Sequence, residues 1–308
     1  MKIKFVLILF FCFFISLMSQ AQTFDANNVS IDNDGVHAKN LDVSQLQSLY
    51  DELDFPNYLK RGNYIYPRVF VQNIPHDYAS IEDLTYRNEL FIKMLMPIVL
   101  KVNHEYEEEH ENLLAIKYAF YEEKDFHELD CYYIDLLAKK YEIVTPYKDT
   151  RKYIMLLEEL LLRADSIPPS ILVATAAIYT DWGTSRIAIE GNNLYKAKNW
   201  YSDEGIKPLS DDKDYTFKIY DSLEDSIRDY ILKVNQSVNY KSFWQTRQMV
   251  RKVSLESKSP IYGKQIDWSF VLENNLGNYT GLLDYTITYY RMMYLDQAEL
   301  EDVYDFED

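Results

Sequence analysis

Positive charge is scarce in this chain: 32 Lys and Arg stand against 49 Asp and Glu, a net charge of −17 over 308 residues. Binding a phosphate backbone needs a basic surface, so nucleic acid is excluded as a partner. The same acidity gives no long-range attraction to an anionic cell wall. Cysteine is nearly absent, with two copies, Cys12 and Cys131. Cys12 lies in an apolar leader, which leaves Cys131 no intramolecular disulfide partner, and such a thiol reads as a small buried apolar side chain. No Gly-rich phosphate loop occurs. No histidine is positioned to serve a serine or cysteine nucleophile. No cofactor is implied.

What remains is an ordinary globular balance, 47 % apolar and 26 % charged, with 28 tyrosines as the outlier. Tyrosine joins apolar bulk to a polar tip, which suits both cores and sugar-binding surfaces. Residues 1–21 carry Lys2 and Lys4, then an apolar run from Phe5 to Met18 too short for a comfortable membrane span, then the small residues Ser19 and Ala21. This is the pattern of a cleaved secretory signal, with an uncleaved anchor as the alternative. Losing its two lysines takes the net charge from −17 to about −19. The mature protein is then exported, to the periplasm or beyond, with no stable membrane insertion.

Residues 22–66 are polar, with weak order expected before one short helix within Leu41 to Leu53, capped by Asp42 or Ser44. Residues 67–145 read as a helical amino-terminal region. An extended piece at Tyr66–Val71 is followed by a long helix capped by Ser80, with Leu90, Phe91, Met94, Leu95, Ile98, Val99 and Val102 forming a buried stripe and Pro97 inside it. A further helix is expected from Glu123 to Tyr141, placing His127 and Cys131 on one face. Two ligands make no zinc site, and the acidic run Glu105 to Glu111 between His104 and His110 reads as a solvated helix end, so no metal is expected.

The organising stretch is residues 166–195, SIPPSILVATAAIYTDWGTSRIAIEGNNLY. Pro168 and Pro169 suit a helix start, since a first-turn proline loses no hydrogen bond. Ile171 to Ile178 read as a helix buried on most sides, and Gly183 after Asp181-Trp182 suits a left-handed cap. A short element from Thr184 to Gly191 follows. Lys196 to Tyr220 reads as a small hairpin lobe, Ser222 caps another helix, and two or three more helices fill 241–294. The tail 295–308 is acidic and expected to fray.

This stretch resembles the core motif of bacterial glucosaminidase-domain proteins, in particular the Bax-type branch. That pattern is roughly A-A-x-E-S-x-W-G-x-S, some five residues, then E-G-N-N-L-F. Ala176, Ala177, Trp182, Gly183, Thr184, Ser185, Glu190, Gly191, Asn192, Asn193, Leu194 and the aromatic Tyr195 stand at its positions. Residues 67–103 resemble the amino-terminal half of the same proteins through Arg68, Phe70, Pro75, Asp77, Ala79, Arg87, Phe91, Leu95, Pro97 and Asn103. The resemblance implies a mainly α fold: a lysozyme-like helical body over 146–294 with a small β-hairpin lobe, preceded by the helical amino-terminal region. The implied ligand is peptidoglycan or a related glycan containing N-acetylglucosamine.

One position departs. The family's catalytic glutamate, three residues before the Trp-Gly pair, is Tyr179 here. A general acid for glycoside hydrolysis is normally a carboxylic acid raised toward neutrality by an apolar pocket. A phenol, with an ordinary pKa near 10, is weaker than glutamate by about five or six units. Asp181 is the nearest substitute, about 200° around a helix from residue 179; Glu190, Asp203, Glu204 and Asp212 are more remote. Trp182, Asn192, Asn193 and Tyr195 can bind sugar or simply hold the fold. Three functions follow: a glycan binder with lost or weakened hydrolysis, an enzyme with a relocated carboxylate, and a non-catalytic structural or interaction protein.

Overall fold

A computed structural model describes residues 28–53, 55, 64–200, 202–210, 213–257, 260–266 and 279–302. The leader expected over residues 1–21, the lobe residue Asp212 and the end of the tail lie outside them. The amino-terminal part is more ordered than its polar sequence suggests. Strands β1 (Val29–Ile31) and β2 (Val36–Ala38) form an antiparallel hairpin. Helix α1 (Val43–Glu52) starts at Asp42 with a full capping box to Gln45, one of the two caps expected. Strands β3 (Ile65–Tyr66) and β4 (Val69–Val71) follow, and β4 adds in parallel to β2. The expectation of weak order before the helix is corrected by this pairing, which buries Val36 and Ala38 against Val69 and Val71.

Helix α2 (Leu84–Glu123) has 40 residues, about 60 Å of helix. Its cap is Asp83, whose carboxylate takes the Thr85 and Tyr86 N–H groups; Ser80 sits instead in a 3₁₀ turn. Lys124, left-handed at φ 65°, ends it, so the helix expected from Glu123 begins only at α3 (Glu128–Lys140). His127 is therefore the residue before α3, paired with Glu123 at 2.9 Å, and does not share a helical face with Cys131. Cys131 itself is half-buried, with burial pushing its thiol up. Helix α4 (Thr150–Arg163) follows, capped by Asp149.

The centre is α5 (Pro169–Thr180). Every residue from Ser170 to Ala177 is buried, because α2 packs on one side and the carboxy-terminal segment on another. After it come α6 (Arg186–Gly191), the antiparallel pair β5 (Lys198–Trp200) and β6 (Tyr215–Phe217), α7 (Leu223–Gln236) capped by Ser222, α8 (Lys241–Ser257) and α9 (Tyr279–Tyr289). A 3₁₀ helix at Met292–Gln297 then leads to β7 (Glu299–Leu300), which pairs in parallel with β3. The fold is mainly α and lysozyme-like, a helical body with a small β-hairpin lobe. Among the described residues no helix is long and apolar enough to cross a membrane.

Two buried polar devices fix this body. Arg247, 1 % exposed, donates to the carbonyls of Leu162, Arg163, Asp165 and Ser166 and to Asn235 Oδ1, closing the end of α4 onto α7 and α8. Burial pushes its guanidinium down to about 10. Beside it, burial works to raise the Asp165 carboxyl, but Arg251 and Arg247 outweigh that and hold it below its ordinary value. The second device corrects the frayed tail. Asp296, 8 % exposed, accepts from the Ser170 N–H and hydroxyl, each at 2.8 Å, and from the Gly263 N–H at 2.9 Å. Those donors tie the tail, as far as residue 302, to the start of α5.

Removing Arg247 strands five acceptors and takes from the Asp165 carboxylate one of its two arginines, so Arg247→Ala is expected to cost about 3–5 kcal/mol in urea unfolding. Burial pushes the Asp296 carboxyl up to about 6. Its folded value exceeds its unfolded one, so its stability contribution is full below about pH 4 and is lost as pH rises through 6. The stability of wild type relative to Asp296→Asn is therefore expected to fall by about 2–3 kcal/mol between pH 4 and pH 7.

Candidate active site

The site grows from the way α5 stops. Asp181, Trp182 and Gly183 are left-handed in succession, at φ 49°, 56° and 83°. Each non-glycine residue there costs about 1–2 kcal/mol, so the turn must be held by its surroundings. It is: the Trp182 N–H reaches Ala177 O at 2.8 Å, Ser185 N–H reaches Thr180 O at 2.9 Å, and the Gly183 N–H reaches Thr180 Oγ1 at 2.8 Å. The Trp182 ring is wedged between Phe91, 6.0 Å away edge-on, and Tyr290, 4.4 Å away. The left-handed glycine expected at 183 is present, and two more left-handed residues precede it.

Tyr179 stands one residue before the end of α5, half-buried, with Lys196 Nζ 5.6 Å from its ring centre. Lys196 is itself left-handed, at φ 52°. A cation thus lies over a phenol at the position where the resemblance places a glutamate. Asp181 is exposed and occupies the cap, with Thr184 Oγ1 donating to its carbonyl at 2.8 Å and to Oδ2 at 3.3 Å. Glu190 is exposed and pairs with Arg186 at 3.7 Å within α6. Asp203 and Glu204 are exposed on the lobe, where Asp203 faces a groove of about 540 Å³ together with Lys207, Lys213 and Asp214.

The four sugar-binding candidates divide by burial. Trp182 and Asn192 are half-buried; Asn192, left-handed at φ 50°, caps α6 and donates to Tyr220 O at 3.0 Å. Asn193 is 0 % exposed. Its amide donates to the carbonyls of Ala197 and Lys218 and its oxygen accepts the Ala197 N–H, so it ties α6 to the lobe. Tyr195 is 6 % exposed, stacks on Tyr230 with centroids 3.9 Å apart, and donates to Leu172 O at 3.3 Å; burial raises its phenol well above the usual value. Asn193 and Tyr195 therefore hold the floor of the site from inside.

Carboxyls raised by their surroundings lie elsewhere. Glu107 is pushed up by burial, against the Ser166 hydroxyl and Arg251, and with Asp296 it lines a cavity of about 220 Å³ at the start of α5. That is the opposite end of the helix from Tyr179, roughly 15 Å along its axis. Neither residue carries a sequence signal: Glu107 sits in an acidic run and Asp296 opens an acidic tail. The Tyr179 end offers aromatic faces, a lysine and backbone groups, which suits binding more than proton donation.

Comparison with known proteins finds similarity over part of the chain. Residues 158–281 match the glucosaminidase family, described as mannosyl-glycoprotein endo-beta-N-acetylglucosaminidase. Protein bax of Escherichia coli is 27 % identical over 184 residues, 58 % of this chain and 64 % of that protein's length. Among solved structures, the catalytic domain of the autolysin Auto from Listeria monocytogenes covers 55 % of this chain and 88 % of its own at 16 % identity, with a TM-score of 0.29. Over residues 158–281 the chain is thus similar to the glucosaminidase family, and it spans 64 % of the length of the relative it matches.

A Cβ at Gly183 would lie 2.9 Å from two Phe91 ring carbons, at a φ that penalises any side chain. Gly183→Ala is expected to lower stability by about 2–3 kcal/mol in denaturant titration, with Phe91→Leu relieving part of the loss.

Proposed function

We propose that this protein is an exported glycan-binding member of its family, acting on the N-acetylglucosamine-containing strands of peptidoglycan with hydrolysis lost. The observation that carries this is Tyr179 beneath Lys196 at the end of α5, where the resemblance places the catalytic glutamate. A phenol beside a cation does not deliver a proton to a leaving glycosidic oxygen as a raised carboxylic acid does. Trp182 and Asn192 would meet the sugar, with Asn193 and Tyr195 shaping the site from beneath. On this proposal residues 1–21 are a removed leader, 67–145 a supporting helical region and 146–294 the glycan-binding unit.

One observation favours a second proposal, an enzyme with a relocated acid: Asp203 lines the lobe groove with Asp214. A single assay separates the two. Purified protein is incubated with peptidoglycan, the released muropeptides are analysed by mass spectrometry, and the insoluble wall is sedimented to measure bound protein. Wild type is expected to co-sediment and release nothing. Release by wild type that disappears in Asp203→Asn would establish the relocated acid instead. In Tyr179→Glu, Lys196 would hold the new carboxylate ionised, so the expected order of release is Tyr179→Glu/Lys196→Met above Tyr179→Glu above wild type.

A further inference from the structure

Among the described residues, one face of helix α9 is left exposed. Its inward residues Leu283, Thr286 and Ile287 are buried, while Leu282, Tyr285 and Tyr289 are 45 %, 57 % and 64 % exposed. At spacings of three and four these share a stripe. Tyr285 and Tyr289 stack on one another at 5.4 Å with 22° between their planes. Tyr289 then meets Tyr290 edge-on at 4.9 Å, and Tyr290 meets Trp182 at 4.4 Å. The result is an unbroken run of rings from the left-handed turn at the end of α5 out to solvent. Its inner end is rigid, because Asn88 Nδ2 donates to the Tyr290 hydroxyl at 3.0 Å and Phe91 backs Trp182.

We infer that Tyr285 and Tyr289 form an outer saccharide platform that continues the Trp182 site along α9 and takes further residues of an N-acetylhexosamine chain. The occupant follows from continuity and chemistry. The stripe is joined ring to ring with Trp182, so a polymer seated there has these two tyrosines on its path. A pyranose has apolar C–H faces and a rim of hydroxyls, and a tyrosine offers an apolar face with a polar tip. The platform lies beyond residue 281, outside the part of the chain that matches the glucosaminidase family. It rests on the glycan reading above and adds to it a dependence on chain length.

The test is calorimetric titration of the whole mature chain with N-acetylglucosamine oligomers from dimer to hexamer. Wild type should bind the hexamer at least tenfold more tightly than the dimer. Tyr285→Ala and Tyr289→Ala should each weaken hexamer binding about five- to tenfold, since one aromatic contact is worth about one such step, and leave the dimer unchanged. Tyr289→Phe should bind as wild type, and Tyr132→Ala, at an exposed tyrosine on α3, should do nothing. Both alanine positions are more than half exposed, so the variants should keep the wild-type circular dichroism and Tm. Hexamer affinity unchanged in the double alanine variant overturns the platform and leaves the glycan reading standing. No binding of any oligomer by wild type overturns both. Self-association of wild type that the double variant abolishes gives the face to a second copy and overturns the platform as well.

Discussion

A helix with no solvent face has to be fixed at its two ends, and most of this structure is the means of fixing α5. At its start, Asp296 gathers three donors from α5 and the Gly263 turn, which brings the carboxy-terminal segment back across the body to β3. At its end, three left-handed residues reverse the chain, and the Phe91 ring leaves room there for nothing larger than glycine. Between them the apolar faces of α2 and α9 supply burial on the order of 1.5–3 kcal/mol for each large side chain. The strain of the turn persists because hydrogen bonds on both sides over-determine it.

The two ends consequently differ in chemistry. The start of α5 collects the half-buried Glu107 and the buried Asp296, near the Asp165–Arg251 pair, and both join segments, Glu107 through the Ser166 hydroxyl and Asp296 through Ser170 and Gly263. The other end collects rings and a lysine: Tyr179 under Lys196, Trp182 between Phe91 and Tyr290, and the tyrosines of α9 beyond. Acid catalysis needs an acid among apolar neighbours at the place where the sugar lies. Here the raised acids and the aromatic cluster occupy opposite ends of one helix.

How much of this was legible in the sequence depended on the range of the interactions. Local rules placed Asp42 and Ser222 as caps, Pro169 at a helix start, Gly183 as left-handed and 196–220 as a hairpin lobe, because each follows from a few neighbouring residues. Long-range partners were invisible. Nothing in the composition of 22–40 announces that β2 will pair with β4 more than thirty residues on. Nothing in the acidic tail marks Asp296 as a cap for a helix 126 positions earlier. The Asn192-Asn193 pair left sugar binding and turn fixing equally open, and burial then gave Asn193 three partners in the backbone of residues 197 and 218. Ser80 carries the local capping signal, an acid three residues on, yet it lies in the 3₁₀ turn Tyr78–Ser80 and Asp83 caps the helix instead.

The central claim is that the Tyr179 end of α5 holds a glycan and leaves it whole. Saturation-transfer NMR on wild-type protein with an N-acetylglucosamine hexamer reads both halves of that claim in one sample over several days. Saturation transfer to the sugar rings, with the reducing-end anomeric signal constant in intensity, is the expected result. Growth of that signal through newly formed reducing ends, or the absence of any transfer, would contradict it.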